Sequence, residues 1–300
     1  MARARRLHVA GWLLAGAALG GPAAACINEV GTNLRGEPID LMHLGPELLE
    51  KQLEHRMSDA ALAQRLREVT ERARSAPGPD AFNNLAAVLI RANRPAPAAR
   101  LLESLEATHP GRYSTAANLG TAYELLGRNQ DALRWIREGI ARNPDSHEGT
   151  EWLHVRILEA KLAAGERGPD PARSLAGLDF GTEVVPVVPP SLPQGNDGRP
   201  VGLYALGLAF RYQVLERSEL VPAPDAVVAS LMRDWADLEM LAGSIETAEL
   251  LYRKAGDYGA PGSPLVARRR AEIARVLVTA PKGTRHETWG ECVLCTPPAD

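Results

Sequence analysis

Cys292 and Cys295, near the end of the 300-residue chain, are the side chains whose type and spacing most directly suggest chemistry. In an exported protein a two-residue gap can close a small disulfide ring. A zinc site would need two more ligands, and His286 is the only nearby candidate. A redox-active pair would need a helix N-terminus in an α/β setting, which this chain lacks. The disulfide is therefore the expectation, with a free tail as its alternative. The rest of the chain has no His-Glu-x-x-His, no Gly-rich phosphate loop with Lys and Ser/Thr, and no Gly-x-Ser-x-Gly. Its carboxylates fall at helix-surface spacings, and no pair stands out for acid–base work. No catalytic residue, metal or cofactor is expected.

The elements that must carry these residues are mainly helical. Hydrophobic residues make up 45% of the chain and charged residues 24%, the composition of a folded globular protein. Aromatics are 5%, and Ala and Leu dominate, which favours helices over sheets. The net charge is −3. Phosphate binding needs a basic surplus, so nucleic acid is excluded as a main partner.

The chain starts with Arg3, Arg5 and Arg6, then an apolar Ala/Gly-rich run, a Gly20-Gly21-Pro22 break and Ala23-Ala24-Ala25 before Cys26. This is the layout of a secretory signal peptide spanning 1–25. An uncleaved anchor helix is the alternative, although Pro22 and the glycines make a poor permanent span. The small residues before Cys26 resemble a bacterial lipoprotein lipobox, with Ala23 where that box has Leu. The resemblance implies acylation of Cys26. Plain cleavage near Ala25 would instead leave an ordinary thiol. Ile27 is not the Asp that retains many lipoproteins at the inner membrane. By resemblance the chain is expected in the periplasm or at the outer membrane, with a secreted soluble form as the alternative.

A 34-residue period runs through the middle of the chain. Residues 79–112 align on 113–146 without a gap. Leu85 falls on Leu119, Ala86 on Gly120, Leu89 on Tyr123, Ala98 on Ala132, Leu102 on Ile136 and Pro110 on Pro144. Each unit reads as two helices joined by a turn at Asn93 or Gly127, where positive φ is useful, and ended by a proline. Small residues at 86, 98, 120 and 132 allow close helix approach. This register resembles the tetratricopeptide repeat. Leu119, Gly120, Tyr123, Gly127, Ala132, Ile136, Gly139 and Pro144 meet its pattern in order, and Ala116 departs from the family's Trp. The resemblance implies an all-α solenoid of helix-turn-helix repeats. A third copy starts at Trp152-Leu153 and fails, with His154 at a small-residue position. One helix from His147 or Glu148 to Ala163 would then cap the stack, and His154 reads as a packing residue.

These signals divide the chain further. Residues 26–78 hold two covering helices, Pro46–Arg56 and Ser58–Ser75, with Ser58 and Asp59 as caps. Residues 79–164 hold the repeats and the capping helix. Residues 165–200 contain seven Pro and six Gly and read as a connector packed on the repeats. Residues 201–280 resume helical patterning with Leu203–Leu215, a helix capped by Asp225, another over Ile245–Ala255 and a last one over Ser263–Val278. Ala236, Gly243, Ala248, Tyr252 and Ala255 echo the repeat pattern, and Arg268–Arg270 read as a solvated face or cap. Residues 281–300 read as a flexible tail.

The resemblance also implies a groove lined by the first helix of each repeat. Its candidate residues are Asp80, Asn83, Ala87, Ile90, Arg91, Ser114, Ala117, Thr121, Glu124 and Leu125. Repeats that grip acidic chaperone tails use Lys at positions not filled here, as Asn83 shows, so that partner is not expected. The expectation is a non-catalytic scaffold for a protein or peptide partner in the cell envelope. The alternatives are a structural lipoprotein whose connector fills the groove, and a helical enzyme acting on envelope polymer. Glu124→Ala, on the groove, is expected to change stability by less than ~0.5 kcal/mol.

Overall fold

The computed structural model describes residues 29–41, 45–280 and 288–298. Cys26, His286 and the leader 1–25 lie outside the described residues. The described chain is mostly helical. A short antiparallel hairpin, β1 (Val30–Thr32) and β2 (Pro38–Asp40), comes first. Eleven helices follow among the described residues. They are α1 (Pro46–Glu54), α2 (Asp59–Ser75), α3 (Pro79–Arg91), α4 (Pro95–Thr108), α5 (Tyr113–Leu125) and α6 (Asn129–Arg142), then α7 (Glu151–Ala164), α8 (Leu203–Leu220), α9 (Ala226–Ala242), α10 (Ile245–Asp257) and α11 (Pro264–Thr279). The hairpin was not expected. It is three residues per strand, too short to register as an alternating pattern.

Local chemistry starts and stops these helices. The hydroxyl of Ser58 accepts from the Ala61 N–H, the carboxylate of Asp225 from Val228, and the hydroxyl of Ser263 from Val266. Asn93 and Gly127 occupy the two equivalent turns with φ of 53° and 74°. Neighbouring helices pack as pairs, α3 with α4, α5 with α6, and α9 with α10. Ala86, Ala98 and Ala132 are fully buried at these contacts. A Cβ on Gly120 would stand 2.6 Å from Cγ1 of Ile136 and 3.3 Å from its backbone nitrogen. Gly120→Leu should therefore force α5 from α6 and cost about 1–3 kcal/mol or more in urea unfolding. A smaller loss would show that the pair does not depend on this close approach.

Two apolar cores result. One gathers Ala86, Leu102, Leu119, Tyr123 and Ile136 inside α3–α6. The other gathers Phe210, Leu231, Trp235 and Leu251 inside α8–α11, with Leu49 of α1. Helix α7 belongs to both: Leu158 packs into the first, and Trp152, Leu153 and Ile157 into the second. It is preceded by a 3-10 turn over Ser146–Gly149, so it starts later than expected. Helix α8 runs five residues beyond its expected end at Leu215.

Three expectations are corrected. The segment 165–200, expected on the repeats of 79–164, packs chiefly on the second core: Leu175, Ala176, Leu178 and Phe180 are buried there. Arg269 is not on a solvated face. It is 1% exposed, pairs with Asp237 at 2.6 Å, and donates to the carbonyls of Phe180, Gly181 and Glu183 at 3.1–3.3 Å. Residues 288–298 are not a free tail. Leu294 is buried beside Gly207 and Gly243, and its N–H donates to the Ala242 carbonyl. Cys292 and Cys295 form a disulfide, so neither sulfur is free to ligate zinc in this structure. Cys295 packs with Ile39 and Leu41 of the hairpin.

Candidate functional site

Helix α8 decides what becomes of the expected groove. Its second half lies against α3, α7 and the 3-10 turn. Five of the ten groove residues, Ala87, Ile90, Arg91, Ala117 and Thr121, come together around a pocket of about 180 Å³. Tyr212, Glu216, Glu219 and Leu220 of α8 form its other wall, with His147 at one end. Arg91 pairs with Glu219 at 3.1 Å. The other candidates lie apart from this pocket. Asp80 pairs with Arg112, Asn83 accepts from Asn118 at 3.1 Å, Ser114 is half-buried, and Leu125 packs against the α3–α6 core.

Glu124 is the clearest correction. It is buried rather than groove-exposed, and three cations converge on it. Arg217 of α8 donates to both carboxylate oxygens at 2.7 and 3.1 Å, Lys161 at 2.6 Å, and Nε2 of His154 lies 2.7 Å from Oε2. The other ring nitrogen of His154 faces Glu151 Oε2 at 3.5 Å. Glu151 is in turn bonded by His147, whose ring stacks on Tyr212 with centroids 4.7 Å apart. His154 is buried, as a packing residue should be, but its surroundings are charged. It is a 2% exposed side chain between two carboxylates. The cluster ties α5, α7 and α8 together.

The electrostatics follow from this placement. Burial alone would lower the His154 pKa. The charge and hydrogen bond of Glu124, with help from Glu151, outweigh it and hold the pKa at about 9. Burial would likewise raise Glu151, but its bonds to His147 and His154 bring it to about 2. Glu124 sits well below the carboxylate range despite burial, chiefly through the Arg217 and His154 charges. Glu216 is pushed up by burial and by the nearby Glu151 charge. Nε2 of His154 is committed to Glu124, and Glu151 stands 3.5 Å from its other nitrogen. The cluster can act as a charged clamp.

The clamp has a pH signature. His154 has a raised folded pKa, so its stabilisation is full below its ordinary value near 6.5 and is lost as pH rises through about 9. Asp234 and Glu239, raised by burial to about 6 and about 7, impose an earlier loss as pH rises from the carboxylate range. Wild-type urea midpoints should fall from pH 6.5 to 9.5, and His154→Gln should lack the upper part of that fall. Parallel curves for the two proteins would rule out a charged His154.

A larger opening adjoins the small pocket. A cleft of about 930 Å³ lies between α1, α2, α3 and α8, sharing Ala87, Arg91, Tyr212, Glu216 and Glu219 with it. Lys51 and Arg65 supply cations, and Met57, Leu62 and Leu215 supply apolar surface. These residues were not expected, because they lie far apart in sequence. Gln213 and Arg217, at i+3 and i+7 from Phe210, share its buried face of α8 and were the one sign that this stripe carries polar groups inward. Among the described residues, no three His, Cys, Asp or Glu side chains are grouped to hold a metal ion, and no helix is long and apolar enough to cross a membrane. In comparisons with known proteins, the chain matches no family model, no curated protein and no solved structure.

Proposed function

We propose that the chain is a non-catalytic scaffold of tetratricopeptide-repeat type, exported to a bacterial cell envelope, that binds a protein or peptide partner. The 34-residue period, with small residues buried where paired helices touch, supports the repeat reading. The basic-then-apolar leader ending at Cys26 supports export and a lipid anchor. The observation that carries the binding reading is the cleft of about 930 Å³, whose mixed apolar and charged lining suits a peptide. Wild-type chain should capture a partner from detergent-solubilised envelope, and Leu62→Asp in the cleft should lose it. Capture unaffected by Leu62→Asp would exclude the cleft, and no capture would sink the binding reading. Mass spectrometry of the mature N-terminus, with Cys26→Ser as the release variant, tests the anchor.

One observation favours a second reading, that of a structural envelope lipoprotein whose groove is filled by its own chain. Helix α8 stands across the small pocket from Ala87, Ile90, Ala117 and Thr121 and is pinned through Arg217 to Glu124. In this reading α8 is the filler, in place of the connector.

A further inference from the structure

Exposed apolar side chains are concentrated at one end of the molecule. Ten large apolar residues are exposed among the described residues, and five of them belong to two segments: Val185, Val187 and Val188 in the connector, and Trp289 and Val293 in the tail. Trp289 is 49% exposed. These segments meet at the hairpin turn. Leu34 and Arg35 share a depression of about 460 Å³ with Val185, Val188 and Val293. A Cβ on Gly36 would touch Val276 of α11. The N–H of Gly290, next to Trp289, donates to the Pro38 carbonyl at 2.7 Å. A clustered apolar patch on a folded protein marks an interaction surface.

The chain outside the described residues bears on what covers this face. Cys26 is three residues from Glu29, and extended chain spans about 3.3–3.6 Å per residue, so Glu29 lies within ~10 Å of Cys26. β1 then runs only from Val30 to Thr32 before the turn. We propose that the face around Leu34–Gly36 lies on the lipid bilayer, with Trp289 at the headgroup level and the three connector valines beside it. This rests on the reading of Cys26 as acylated. A lipid on Cys26 fixes the start of the hairpin at the membrane surface, and a hairpin this short cannot carry its turn far from it. Tryptophan favours the boundary between acyl chains and water. The face is not uniformly apolar. Arg35 pairs with Glu37, Glu272 with Arg275, and Glu291 adds an acid. This mixture suits contact at the headgroups rather than deep insertion. A second contact of this kind would reinforce an acyl anchor.

Brominated lipids test this directly. The full chain, expressed with its leader and purified from membranes in detergent, is reconstituted into phosphatidylethanolamine–phosphatidylglycerol vesicles with plain or brominated acyl chains. Mass spectrometry of the N-terminal peptide is read on the same sample. Brominated vesicles should quench tryptophan emission, and Trp289→Phe should abolish that quenching, because Trp152 and Trp235 are buried and Trp135 lies in α6. Val188→Asp, which keeps Trp289, should weaken the quenching at unchanged helical circular dichroism. Vesicle-bound, acylated protein whose emission ignores bromination would overturn the bilayer face and leave the anchor standing. Insensitive emission together with cross-linked dimers would assign the face to a second copy and also overturn it. A leader left in place or an unmodified Cys26 would overturn both readings.

Discussion

Glu124→Ala should destabilise the protein by about 3–5 kcal/mol, read as a lower midpoint in urea with little change in slope. The expected cost arises from what the substitution leaves behind. Arg217, Lys161 and His154 all direct charge at the Glu124 carboxylate, and Arg217 and His154 are buried. Without it these cations stay desolvated and unpaired, which costs more than the pairing itself contributes. Glu124→Gln keeps an acceptor and should fall between the two. The double replacement Glu124→Leu with Arg217→Met removes both charges at similar volume and should recover much of the loss. A cost below ~0.5 kcal/mol for Glu124→Ala would return the residue to an exposed groove face.

Arg269→Ala is the second large expected loss, again about 3–5 kcal/mol. One guanidinium joins Asp237 of α9 and three carbonyls of the connector, so its removal strands a buried carboxylate and unbinds residues 180–183. Asp237 also accepts from the Tyr252 hydroxyl, whose pKa is pushed up by burial and by the Asp237 charge. The neighbours provide the control. Arg268 is exposed and Arg270 pairs at the surface with Glu249, so either one to Ala should cost less than ~1 kcal/mol. Equal losses at 268, 269 and 270 would contradict a buried staple. Limited proteolysis should also cut Arg269→Ala within the connector sooner than wild type.

Much of the helical architecture was legible because its signals are local. Ser58 and Asp225 announce helix starts, and Asn93 and Gly127 mark tight turns. The clamp and the staple join partners 93 and 86–89 residues apart, beyond any local signal. Part of the staple was nonetheless readable. Arg269, Ile273 and Val276 stand at i, i+4 and i+7, the buried stripe of α11, so one of three consecutive arginines had to face inward. Glu124 was misread for a related reason. It shares a stripe with Ala117 and Thr121, which would face an open groove if α8 were absent. The expectation treated each repeat pair as a finished surface, whereas a helix from 90 residues downstream covers it.

The hairpin and the tail meet through the Gly290 N–H to Pro38 carbonyl bond and the Asn33 side-chain bond to the Glu291 carbonyl. This seam joins residues 252 positions apart, close to the full length of the chain (290 minus 38). Closing so long a loop yields a few bonds for a large loss of chain freedom. The seam should accordingly form after the helices have assembled, and it should be the first part of the native protein to open. In hydrogen exchange, the Gly290 amide should trade its proton well before the amides of α9 and α10, whose release requires the core to come apart.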